Sequence, residues 1–198
     1  MARGPAKSFD PAEALNSAMV LFWEKGYAAT GMAELQSRMG LGAKSLYDTF
    51  GNKRKLYFAA LEHYTATVVA RLFADLSTKR SPLGAANGVL RSIAKLDRDT
   101  HRGCLLGVAM AQAQVQDDAE LAEHIEAQLS IIESALYDTF EQAKRVGELQ
   151  DDIDERALAR LYTAVFQGVN LTSRIKPDAT FSNSVGRVLE LLVARSNR

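Results

Sequence analysis

A single cysteine, Cys104, stands in the 198-residue chain, so no internal disulfide can form and a reducing compartment suits it. Prolines number only four, and three of them fall where a helix would begin or end. No apolar run approaches the roughly 18 residues that cross a bilayer as a helix. The basic residues of the start, "MARGPAKSFDPAEAL", are not followed by the apolar stretch of a secretory signal. The expected location is the cytoplasm, with no membrane partner. Apolar–polar alternation is missing, and Val and Ile are sparse beside Ala and Leu, which excludes a sheet from the expectation. There is no fixed-period repeat and no low-complexity tract. His63, His101 and His124 have no neighbours at metal-ligand spacing, and neither a phosphate-cradling glycine loop nor a Ser/Cys–His signature occurs. No metal, no cofactor, no catalytic residue and no enzymatic activity are expected.

The composition present is that of an ordinary water-soluble chain, 47% hydrophobic and 24% charged. Net charge is zero, yet residues 1–60 carry eight basic side chains against five acidic ones. An N-terminal third at +3 and a remainder at −3 hint at a polyanion as partner of the first part. Helical spacing recurs throughout and predicts an all-α fold of about nine helices. The first starts at Asp10 as N-cap with Pro11 next and ends at Gly26, with Ala14, Leu15, Ala18, Met19, Phe22 and Trp23 inward. The second, about Met32 to Met39, has Thr30 or Gly31 at its N-cap. After the turn "MGLG" a third, about Ala43 to Phe50, buries Leu46 and Phe50, and Asn52 caps a fourth that runs to about Leu76. Further helices are predicted over 82–98, 103–116, 119–146, 154–175 and 179–194, with "LSTKRSPLGAAN" the clearest break.

Two short helices joined by a tight glycine turn, the second polar on its outer face, are what a helix-turn-helix requires. In that reading Leu41 points inward from the turn and Leu46 and Phe50 hold the third helix to its domain. The outer face can then enter a major groove about 12 Å wide. Lys44, Ser45 and Thr49 can donate to base edges or phosphates, and Tyr47 can reach a phosphate oxygen. Lys53 adds its charge to the start of the next helix, a natural phosphate clamp. Asp48 would repel phosphate; it can accept from a cytosine amino group or orient a lysine. The spacing alone is met equally well by a small polar helix with a capping turn.

The stretch "ALNSAMVLFWEKGYAATGMAELQSRMGLGAKSLYDTFGNKRKLYFAAL" resembles the DNA-binding domain of the TetR/AcrR family of bacterial transcriptional regulators. The resemblance is carried by "F-x-x-K-G-Y-x-A-T" at Phe22 to Thr30, by Leu35, by the turn at Gly40/Leu41, by "S-L-Y-x-x-F" at Ser45 to Phe50 and by "K-x-x-L" at Lys53 to Leu56. It implies a DNA-binding domain over 8–68, its helix-turn-helix at about 31–50, and an effector-binding and dimerisation domain over 69–198. By position, it implies double-stranded operator DNA contacts from Thr30, Gly31, Lys44, Ser45, Tyr47, Asp48, Thr49 and Lys53. Gly42 stands where many members have a capping Ser, and Gly31 where a second Thr or Ser is usual; both remove a hydroxyl from the phosphate side. The expectation is a homodimeric repressor released from a palindromic operator by a small-molecule effector.

In that family the last two long helices form the dimer interface. Here they offer Leu158, Leu161, Tyr162, Val165, Phe166 and Val169, then Val185, Val188, Leu189 and Leu192; in a monomer the same stripes would be internal core. Candidates for the effector pocket are Tyr64, Cys104, Met110, Gln114, Ile131 and Tyr137, each of a type that also suits ordinary core. Cys104, in "HRGCLLG" beside Arg102, has the surroundings that favour a thiolate, and some family members sense oxidants or electrophiles from a similar context. A small buried residue without redox role fits equally. Two alternatives to an effector-released repressor follow: a redox regulator acting through Cys104, and an all-helical enzyme or small-molecule carrier with a non-functional reading head.

Overall fold

The structure, a computed structural model, describes residues 9–74, 80–96, 102–112, 118–175 and 179–194; His101 and Gln114 lie outside them. The chain divides into two compact units, Met1–Tyr64 and Thr65–Arg198.

In the first unit, helix α1 (Pro11–Ala29) begins where Asp10 Oδ1 accepts the Ala12 N–H at 2.8 Å. Its buried face is Ala14, Ala18, Met19, Leu21 and Phe22. Leu21 is thus core, whereas Leu15 and Trp23, expected inward, are only half-buried. Gly26 interrupts the helix instead of ending it: at φ 79° and ψ 172° it breaks the ladder, and a short helical turn resumes to Ala29. α2 (Met32–Met39) and α3 (Ala43–Phe50) start at Gly31 and Gly42, and neither receives a side-chain cap. Between them Gly40 sits at φ 65°, ψ 29°, while Leu41 N–H reaches back to Gln36 O at 3.0 Å and Gly40 N–H to Ser37 O at 3.3 Å. That pair of bonds is a Schellman stop, and it turns Leu41 into the core. Asn52 Oδ1 accepts from Lys55 N–H at 2.9 Å at the start of α4 (Lys53–Tyr64).

The core of this unit joins α1 to Leu35, Met39, Leu46, Leu56, Tyr57, Ala60 and Leu61. Of α3 only Leu46 is fully buried; Phe50, expected beside it, is half-buried. Ion pairs Lys25–Glu34 and Arg38–Glu24 tie α1 to α2 across exposed ground, each a contribution of about 0–1 kcal/mol.

The helical run of α4 continues without a non-helical residue through a π-helical turn, Thr65–Val69, into Ala70–Ala74; the expected end near Leu76 lies outside the described residues. The second unit adds α5 (Pro82–Leu96), α6 (Leu105–Met110), α7 (Ala119–Arg145), α8 (Glu155–Ser173) and α9 (Ala179–Val193). With that run counted once, the described residues hold nine helices and no strand, only an isolated bridge between Leu149 and Ala194. α6 starts two residues later than expected because Gly103 at φ 64° and the extended Cys104 precede it, and its expected end near 116 lies outside the described residues. Among the described residues no helix is long and apolar enough to cross a membrane.

Here α7 packs on α8, and α9 on α5. Phe140 meets Tyr162 edge-on at 4.8 Å, and the buried Tyr162 hydroxyl donates to Asn87 Oδ1 at 2.9 Å. Asp118 and Asp154 cap α7 and α8. Gln150 clasps the end of α9: its N–H donates to Val193 O at 3.2 Å and its side-chain amide to Leu192 O at 3.1 Å and Ala194 O at 3.3 Å.

A Cβ at Gly40 would meet nothing within 4 Å, so only the left-handed backbone opposes a substitution there. Gly40→Ala should therefore lower stability by about 1–2 kcal/mol. Gly42→Ser, at an ordinary N-cap geometry, should cost nothing and gain a few tenths. Urea titration of both variants checks the contrast.

Candidate nucleic-acid interface

One apolar anchor and a ring of polar neighbours define α3. Leu46 is fully buried, and Lys44, Ser45, Tyr47 and Asp48 are exposed around it. Tyr47 is 50% exposed, an aromatic ring with no core role. Thr49 is half-buried at the edge of this face, and Gly31 is exposed at the start of α2. Lys44 makes no ion pair among the described residues, whereas Lys25 and Arg38 are matched by Glu34 and Glu24. Lys44 on α3 and Lys53 at the start of α4 bring positive charge to this face. Lys53, the first residue of α4, holds its ammonium 4.4 Å from the Tyr27 ring centroid, and partial burial pushes its pKa down. Arg54 covers the Phe58 ring at 4.9 Å.

Thr30 does not belong to this face. It is 1% exposed, and its Oγ1 donates to Gly26 O at 2.7 Å. The hydroxyl that the resemblance directed at phosphate instead satisfies the carbonyl freed where Gly26 breaks α1.

This arrangement, a polar eight-residue helix moored after a glycine corner, coincides with a family match. Residues 14–60 fit the model for bacterial regulatory proteins of the tetR family, and residues 83–189 fit the tetracyclin repressor-like C-terminal domain. The chain is a member of the TetR family. YezE of Bacillus subtilis (strain 168), an HTH-type transcriptional regulator, is 37% identical over 164 residues, spanning 79% of this chain and 82% of that protein. ComR of Escherichia coli (strain K12), an HTH-type transcriptional repressor, is 30% identical over 175 residues, spanning 87% and 83%. A cysteine mutant of the TetR-family regulator CifR, solved with a 26bp double-strand operator DNA, superposes with a TM-score of 0.81 over 94% of this chain and 98% of that one. At 23% identity that likeness establishes the fold. As a TetR-family protein the chain is a DNA-binding transcriptional regulator.

The described pocket candidates read from the sequence each have surroundings of their own in this TetR chain. Tyr64 lies in the first unit, edge-on to Trp23 at 4.9 Å. Met110 and Ile131 are 44% and 52% exposed. Tyr137 donates to Glu141 at 2.8 Å and carries Arg156 over its ring. Cys104 is 1% exposed at the start of α6, a position that denies oxidants the access a sensor thiol needs. Instead Phe73, Ala86, Val89, Leu90, Leu136, Tyr162 and Phe166 line a narrow apolar cleft, closed in this structure to anything the size of water. Nothing in the sequence marked it, because four separate helical stretches supply its walls.

The dimer stripes also need correcting. Leu158, Tyr162, Phe166, Val169 and Leu189 are buried within the unit itself, and Val165 and Val185 are half-buried. Leu161, Val188 and Leu192 remain exposed, joined by four residues the sequence reading omitted: Leu171, Ile175, Phe181 and Leu191. Carrying the i, i+3, i+4 register on from Leu161 and Val188 would have found them.

Thr30→Val keeps the shape and removes the donor to Gly26 O. It should cost about 1 kcal/mol of stability while leaving the salt dependence of DNA binding unaltered. Thermal unfolding and a salt titration, run together, separate this structural role from a phosphate contact.

Proposed function

We propose that the protein is a homodimeric repressor whose two α3 helices read the half-sites of a palindromic operator in successive major grooves. Lys44, Ser45, Tyr47, Asp48, Thr49 and the start of α2 at Gly31 face the DNA, and Lys53 clamps a phosphate. The reading rests on one observation above others: a polar α3 whose one fully buried side chain is Leu46, inside the segment that matches the family's DNA-binding model. Asp48 is the one acid on α3, and its role is base preference, since a carboxylate gains nothing beside phosphate but can accept from a cytosine amino group.

The exposed stripes of α8 and α9 form the interface with a second copy. Burying them on association takes these exposed apolar side chains out of water. The effector is a small molecule that opens the cleft around Tyr162 and Phe166. A ligand there needs an apolar body and, toward Tyr162 and Asn87, one polar atom. Its binding favours a population whose two reading heads no longer match the half-site spacing. The cycle calls for no catalysed reaction and no cofactor.

Two experiments carry the test. Duplexes selected from random sequence by the wild-type protein should be palindromic and bind with affinity that falls steeply as salt rises. Binding indifferent to both sequence and salt would end the proposal. Val188→Glu with Leu192→Glu should convert the dimer to monomer in light scattering, retain helical circular dichroism, and lose operator binding. A dimer that survives both charges would place the interface elsewhere.

A further inference from the structure

Lys53 is not a freely swinging surface lysine. Its ammonium lies 4.4 Å from the centroid of Tyr27, within the range of a cation–π contact. Tyr27 is in turn fixed on two sides. Its ring lies 4.9 Å from Tyr57 at 41° and 6.3 Å from Phe22 at 25°, and both partners are fully buried. Gly26, immediately before it, supplies the φ of 79° that turns the chain at this point. A rigid aromatic column therefore runs from the core to one cation at the start of α4.

We infer that Tyr27 is a positioning residue for operator binding: its ring holds the Lys53 ammonium, partly stripped of water, where a phosphate can meet it. The inference rests on reading Lys53 as a phosphate contact. A ring occupies only one side of an ammonium, and the three N–H donors of lysine leave others for a phosphate oxygen. Holding the long side chain in place removes most of the ordering that binding would otherwise require, and partial desolvation removes water that phosphate would have to displace. Tyr27 itself contributes no charge, so its whole effect passes through Lys53.

The test is the slope of log K against log salt for a duplex selected by the wild-type protein. Lys53→Met should flatten the slope by about 0.9 per half-site, near 1.8 for a dimer. Tyr27→Leu should flatten it by a smaller amount, and adding it to Lys53→Met should change nothing more. Tyr27→Phe, which keeps the ring, should restore the wild-type slope. A variant that folds poorly lowers the active fraction, not the slope. As a measurement needing no variant, the Lys53 ε-methylene protons in the free protein should be shifted upfield by the ring current.

The inference is overturned if Tyr27→Leu leaves the slope intact, or if its effect persists in the Lys53→Met background. It is overturned equally if Tyr27→Phe behaves like Tyr27→Leu, since the hydroxyl then acts directly, or if the ε-methylene protons show no ring-current shift. A Lys53→Met slope equal to wild type removes the phosphate contact itself, and the positioning role with it. That outcome is recognisable because the first variant alone produces it.

Discussion

An eight-residue helix is not stable by itself in water, because one costly nucleus is shared among too few hydrogen bonds. α3 is such a helix, with a glycine N-cap that supplies no side-chain acceptor. Its existence therefore depends on docking, above all the burial of Leu46 with Phe50 half-buried on the same helix, against the core built from α1, α2 and α4. The same economy frees the rest of its surface. With Leu46 and Phe50 carrying the attachment, the exposed Lys44, Ser45, Tyr47 and Asp48 have no packing duty and can be chosen for what they meet outside.

What surrounds Leu46 is arranged to keep that dock in place. The Schellman stop at Gly40 fixes where α2 ends and sends Leu41 inward. The break at Gly26 is made tolerable by Thr30, whose hydroxyl satisfies the carbonyl that the broken ladder leaves over. A polar group serving backbone satisfaction looks, in sequence, identical to one serving recognition.

This explains why some features could be read in advance and others could not. The limits of α2 and α3 agree with expectation because glycines punctuate both ends, and local backbone chemistry decides them. Thr30 was misassigned because its neighbour's conformation, not its own type, sets its role. On α8 the apolar residues nearly encircle the helix, so period 3.6 cannot say which side faces inward. Leu158 and Tyr162 went to the core and Leu161 to the surface, although all three fit one stripe. The apolar cleft was invisible for a simpler reason: Phe73, Leu136 and Phe166 meet only after the chain has folded. The family resemblance, by contrast, rests on contiguous spacings, which folding does not rearrange.

The Gln150 clasp has a bearing on assembly. The last carbonyls of a helix ordinarily lack partners, so its final turn frays and its side chains wander. Here a residue from outside α9 occupies the carbonyls of Leu192, Val193 and Ala194. Exposed Leu191 and Leu192 sit on this secured turn and are presented in a fixed register, not as a loose end. A partner arriving at such a surface meets a template already set, and recognition there is a matter of shape before it is a matter of adjustment.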